Sequence, residues 1–415
     1  MRDKLKNEAP NRLSNPTSFA LIFIILLLPS FINYFQFSTS LALGTLIVGC
    51  FAIVKSILFA GKSLAFHARL IKTNSVISVC VGTSIFLAHL AVSGIFQEID
   101  WFRAAASMIP LIGVLISALA LSLLFRRSSD SKLHRQLQYI FLTFCTLVII
   151  SISGIVIPGS NATAKPIFPF VEPSHFALCF TPLLMYVTIT APPKIRPVLM
   201  GIGLAFVMII QNMTMLAGLI AIAVVIFRIK TLIILSTFAS FVVALISPDL
   251  GYFTERLDFL NSNNLSALSY VQGWQLISES WTRSHGWGLG FQQLGSISTS
   301  VTAADEIYSI LGEYLNLQDG GFLLSKILSE FGMVGLITAT LFFVKSGQAF
   351  SDLRKTKASF ESSSTAVIYA NCCIYSFPIE LLVRGAGYFT PSALLVITSL
   401  IIIRGNSIRT RIQEG

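Results

Sequence analysis

Charge is what this chain lacks. Only 12% of its 415 residues are Asp, Glu, Lys or Arg, about half of what soluble globular domains carry. With 54% hydrophobic residues, a water-soluble fold is excluded, because too little polar surface remains to cover the apolar mass. Cysteine is scarce as well. All six (Cys50, Cys80, Cys145, Cys179, Cys372, Cys373) fall inside apolar runs, so neither a disulfide framework nor a thiolate zinc site is expected. No metal-ligand cluster is spaced along the sequence, and its one glycine-alternating stretch has no lysine after it and no strand before it, so it is not a phosphate loop. The first apolar run has no small-residue cleavage site behind it and is expected to stay in the chain as a span, not to leave as a signal.

What is present is a succession of apolar runs of membrane-crossing length. Spans are expected near 17–36, 40–60, 75–96, 104–125, 137–157, 174–191, 197–211, 213–227, 231–247, 321–344, 364–383 and 388–403, about 12 in all. The fold class that follows is an all-α polytopic membrane protein, residues 1–415 forming a single integral membrane domain. The basic residues orient it. If the N-terminal tail, residues 1–16, is cytoplasmic, 23 of the 29 Lys and Arg side chains lie in the tails and connections on that same side, which is the positive-inside pattern. Both termini, including the 404–415 tail, are then cytoplasmic. The net charge of +10 is a topology signal and implies no nucleic acid. The expectation depends on 197–227 being two short helices of ~22 Å each that turn at Gln211-Asn212; one kinked helix would invert everything after it.

One long polar interruption remains, residues 248–320, expected as a large periplasmic loop. It holds eight acids (Asp249, Glu255, Asp258, Glu279, Asp305, Glu306, Glu313, Asp319) against two bases, Arg256 and Arg283. Within it Leu265, Leu268, Val271, Trp274, Ile277 and Trp281 recur at three- and four-residue spacing, which predicts an amphipathic helix lying on the outer leaflet. His285 opens the glycine-alternating HGWGLGFQQ that follows.

The six outside bases are exceptions to the charge bias and hence candidate ligands. Arg384, in RGAGYF with Gly385 and Gly387 beside it, is either a snorkelling arginine or a guanidinium placed for bidentate phosphate binding. Lys326 falls inside a span, where an unpaired cation is costly, and Glu330 one turn later is its expected partner. Glu172-Pro173-Ser174-His175 reads as a helix start that could receive an anion. The alternative reading has Glu172 capping the helix and His175 packing in the bundle, with Arg256 and Arg283 as internal ion-pair partners.

In order and content these pieces resemble the bacterial O-antigen polymerase and ligase superfamily: EPSHFA ahead of a mid-chain span, an amphipathic helix running into SHGWGLGF, then DGGFLLSKILSEFGMVG, then RGAGYF. The resemblance covers roughly 170–390. Ligases of the superfamily carry a His-Asn pair where this chain has Gly321 and Phe322, which favours the polymerase branch, and the arginine that commonly opens the family's amphipathic helix is absent near Leu268–Tyr270. The resemblance implies a GT-C-like architecture and a metal-independent glycosyltransferase with no cofactor. It would move a growing glycan from undecaprenyl diphosphate onto a lipid-linked repeat unit, at the periplasmic face of the bacterial inner membrane. The implied partners are the undecaprenyl-diphosphate-linked oligosaccharide donor and acceptor, membrane lipid, and a chain-length-regulating polysaccharide co-polymerase. Carried onto this chain, the expected catalytic residues are Glu172, Arg384 and His285, with Arg283, His175, Arg256, Lys326 and Tyr388 binding substrate. The alternatives are an O-antigen ligase acting on lipid A core and a lipid-linked sugar flippase or transporter.

Overall fold

A computed structural model describes residues 17–38, 40–60, 73–155, 167–234, 236–237, 251–259, 264–296, 301–358 and 364–414. The 1–16 tail, Lys62, Arg69, Lys72, Lys165 and most of the expected span 231–247 lie outside them.

The apolar runs fold as helices because every backbone N–H and C=O is then satisfied within the segment. In chain order they are α1 (Thr17–Tyr34), α2 (Leu41–Ala60), α3 (Thr73–Phe96), α4 (Trp101–Arg127), α5 (Asp130–Ile152), α6 (Pro173–Thr190), α7 (Arg196–Ile210) and α8 (Met213–Ile226). The polar interruption contributes α9 (Gly251–Glu255), α10 (Leu265–Arg283) and α11 (Thr302–Leu311). Then come α12 (Leu323–Ala358), α13 (Thr365–Ser376), α14 (Pro378–Leu382) and α15 (Pro391–Glu414). Among the described residues there is no β-strand. Side-chain oxygens start several of these helices by accepting orphan N–H groups: Asp100 from Arg103 N–H at 2.9 Å, Asn212 from Met215 N–H at 2.9 Å and Asn264 from Ser266 N–H at 3.0 Å.

Among the described residues four helical stretches are long and apolar enough to cross a membrane, Trp101–Arg127, Asp130–Ile152, Leu323–Lys357 and Thr365–Leu382, and six shorter apolar helices accompany them. The chain reverses between α7 and α8. Gln211 takes a left-handed conformation (φ 54°, ψ 66°) and Asn212 caps the next helix. Gly203 and Leu219, equally far from that turn, are in contact, so the pair is an antiparallel hairpin.

One large apolar core joins α1, α2, α4 to α8, α13 and α15, with the rings of Phe144, Phe170, Phe176 and Phe180 packed on one another inside it. Helix α6 is enclosed almost all round. The polar interruption builds cores of its own: Leu276, Leu289, Leu294, Val301 and Ala304 form one, and Phe291 and Phe331 pack with Leu90 and Ala104 in another. It is therefore a folded cap.

Helix α10 meets the rest of the protein through Ala267, Leu268, Ser269, Gln272, Gly273, Leu276 and Ser280, and of the expected apolar stripe only Leu268 belongs to that buried side. Gly273 is the reason: a Cβ there would sit 2.5 Å from both the Gly320 carbonyl and the Phe322 ring. The missing side chain lets the start of α12 press in, and Ser325 Oγ donates to the Gly273 carbonyl at 2.7 Å. Trp274 remains 46% exposed, while Trp281 donates its indole N–H to the Leu328 carbonyl at 2.8 Å.

Candidate functional site

The site begins with an interruption in an apolar run. Helix α12 is broken at Gly332, whose φ of 51° and ψ of −128° belong to a region open essentially to glycine alone. Residues 286–290 fill the break. Leu289 N–H donates to the Ser329 carbonyl at 2.9 Å, Gly290 N–H to Glu330 at 2.8 Å, and Met333 N–H to the Gly286 carbonyl at 2.9 Å. The backbones touch: a Cβ on Gly288 would lie 2.5 Å from Gly332 N and 2.6 Å from the Glu330 carbonyl. The alternating glycines thus serve close approach, and their hydrogen bonds replace those that the break removes from the helix. On its other side the segment is held by α3 and the turn into α4. His89 stacks on Trp287 with centroids 5.1 Å apart, and Asp100 N–H donates to Gln293 Oε1 at 2.9 Å.

Glu330 lies beneath this clasp, fully buried. Its carboxyl group receives Gln292 N–H at 2.9 Å, Leu294 N–H at 3.4 Å and the Tyr388 hydroxyl at 2.7 Å. Lys326 is buried as well. It was expected to pair with Glu330, and that contact exists at 3.9 Å. Closer acceptors come from the end of the cap: the Gln318 carbonyl at 2.6 Å, Asp319 Oδ1 at 3.4 Å and Gln292 Oε1 at 3.4 Å. At 3% exposure the Lys326 ammonium faces these oxygens and the Tyr388 ring, 5.2 Å away. It ties the cap to α12 and has almost no surface to offer a ligand.

Above this layer sits a second ion pair. Arg384 Nη2 donates to both oxygens of Glu172, at 3.1 and 2.9 Å. Glu172 occupies the position before Pro173 that starts α6, but its side chain makes no cap hydrogen bond. It accepts the Ser174 hydroxyl at 3.0 Å and lies 4.0 Å from His175 Nε2. Burial raises the Glu172 carboxyl, and the Arg384 and His175 charges, with hydrogen bonds from Arg384 and Ser174, outweigh it and bring it down to about 2. Among the described residues Arg384 Nε and Nη1 have no hydrogen-bond partner, and the side chain is 24% exposed. Asp319 bridges the two layers. It meets Lys326 below, lies within electrostatic reach of His175, and approaches Gly387 so closely that a Cβ there would be 3.1 Å from Asp319 Oδ1.

Five expected site residues therefore converge: Glu172, His175, Lys326, Arg384 and Tyr388. Three do not. Arg283 is exposed on the last turn of α10, and His285, exposed with φ 51°, sets its ring against Phe96. Arg256 stays within α9 and its flank, its guanidinium 3.9 Å over the Tyr252 ring and bonded to the Tyr252 hydroxyl. Asp319 and Gln292 were not anticipated at the site. Asp319 was legible only as one acid among eight; Gln292 carried no signal. Compared with protein-family models, curated proteins and solved structures, the chain matches none. Its functional reading therefore rests on the residues themselves.

Proposed function

We propose that this chain is a bacterial O-antigen polymerase: a GT-C-like glycosyltransferase of the inner membrane that extends a glycan held on undecaprenyl diphosphate. Donor and acceptor are both lipid-linked, and the site faces the periplasm. The observation that carries the reading is Arg384. Glu172 fixes its guanidinium through Nη2 alone, in a segment whose Gly385 packs on the Leu323 backbone, and the Nε and Nη1 donors are left uncommitted. A leaving diphosphate needs such pre-oriented, charge-assisted donors where its negative charge develops. Glu172 then acts as the anchor of that arginine. The folded cap beside the site supplies a surface for a long glycan and for a chain-length-regulating co-polymerase.

One observation favours a second reading. An apolar helix interrupted at Gly332, with Lys326 and Glu330 buried next to the break, is also how transporters build substrate sites. Deletion of the gene in the bacterium that carries it separates the two. The polymerase reading expects surface polysaccharide reduced to a single repeat unit on lipid A core. Bare core would replace it with a flippase or ligase.

A further inference from the structure

Resting on the polymerase reading, we infer that Asp319 is the base that takes the proton from the acceptor hydroxyl. A base for this step needs a carboxylate that substrate can reach, held still, close to where the leaving group is bound. The site's acids differ in these respects. Glu330 is fully buried, with its oxygens committed to Gln292, Leu294 and Tyr388. Both oxygens of Glu172 are held by Arg384, and one also accepts from Ser174. Asp305, Glu306 and Glu313 are exposed on or just after α11, and no ion pair holds them among the described residues.

Asp319 meets all three requirements. Its side chain is 46% exposed. One oxygen is held by Lys326 at 3.4 Å, and the other has no hydrogen-bond partner among the described residues. Its backbone is pinned where Asp319 N–H donates to the Asn316 carbonyl at 3.1 Å and Gly320 N–H to the same carbonyl at 2.8 Å. Gly387, against which the carboxylate sits, is three residues after Arg384. Asp319 and Arg384 also both act electrostatically on His175, which sets the base near the cation that receives the diphosphate.

In the step, the acceptor O–H bond breaks and its proton passes to the free Asp319 oxygen. The acceptor oxygen bonds to the anomeric carbon of the donor glycan. The bond from that carbon to the diphosphate oxygen breaks, and its electron pair leaves on undecaprenyl diphosphate against Arg384. Water then takes the proton from Asp319. Lys326 is a positioning residue here, since it touches Asp319 and not the substrate.

The test uses the full-length protein in lipid nanodiscs with a synthetic undecaprenyl-diphosphate-linked repeat unit. Wild type should extend it into a ladder. Asp319→Asn should slow extension ~100- to 10,000-fold, leave the substrate concentration at half-maximal rate little changed, and lose the acid limb of the rate–pH profile. Asp319→Glu should recover part of the rate and keep that limb, which preserves the test even if Asp319→Asn loses thermal stability. An active wild type matched by Asp319→Asn, or an acid limb that persists in Asp319→Asn, would overturn the assignment and leave the polymerase reading standing. An inactive wild type would overturn both.

Discussion

At Glu172 two effects oppose each other on one carboxyl group. Burial favours the neutral acid; Arg384, His175 and Ser174 favour the anion, and they win, to about 2. An unfolded glutamate titrates near ~4.3, so the folded group is depressed. The stability it lends is complete above ~4.3 and is lost as pH falls toward 2. Carbon-13 difference spectra between wild type and Glu172→Gln should show a carboxyl titrating near pH 2. In Arg384→Gln the same signal should move up by more than ~1 unit, because burial then faces less opposition; an unmoved midpoint would mean that the pair does not form in the membrane. Each partner stood out in the sequence on its own, Glu172 by the proline after it and Arg384 by its glycines. Their meeting did not, since 212 positions separate them and nothing local encodes a contact of that range.

Helix α12 shows what periodicity hides. Residues 321–344 read as one uninterrupted span because Ile327, Leu328, Phe331, Met333 and Val334 continue the apolar run through the break. The interruption is a backbone event at one glycine, and hydropathy is blind to it. The GWGLG segment was legible as a glycine alternation, but what it packs against was not. Gly332→Ala would drive a Cβ into the Gly286 and Trp287 backbone and should cost more than ~3 kcal/mol, read as a lowered thermal midpoint in detergent. Glu330→Ala leaves two N–H groups, a hydroxyl and part of the Lys326 charge unanswered. It should cost ~3–5 kcal/mol, with Glu330→Gln between it and wild type. Equal stability of Glu330→Ala and wild type would contradict the clasp. In α10 the periodicity was correctly read as helical and amphipathic. That its other side packs against protein was not legible, because Ser269, Gln272 and Gly273 bury through close backbone approach and not through hydrophobicity.

Across the whole molecule the outer surface is apolar to a degree no aqueous monomer sustains. Phe102 is 85% exposed, Ile95 78%, Ile109 70% and Leu341 62%, which lipid tolerates as solvent. This much was legible in composition alone, because the bilayer imposes it on every span at once. Sidedness rests on the basic residues and has a direct test. In a cysteine-free background, Glu306→Cys on the exposed side of α11 should react with a membrane-impermeant thiol reagent in intact spheroplasts. Lys355→Cys, 79% exposed near the far end of α12, should react only after lysis. The reverse pattern would place the cap in the cytoplasm and the polymerase site with it.

The clasp at Gly332 also decides where this protein comes apart as modules. By hydropathy the seam between cap and bundle falls at Gly320. By hydrogen bonding it falls twelve residues later: the stub Leu323–Phe331 is bonded to Gly273, Trp281, Leu289 and Gly290 of the cap, and the backbone leaves helical geometry only at Gly332. The stub is inherited with the cap even though its composition is that of the bundle. Recombination between relatives, whether in nature or at the bench, should splice just past Met333, whose N–H still donates to the Gly286 carbonyl, and a cap exchanged at Gly320 would arrive without the floor it stands on.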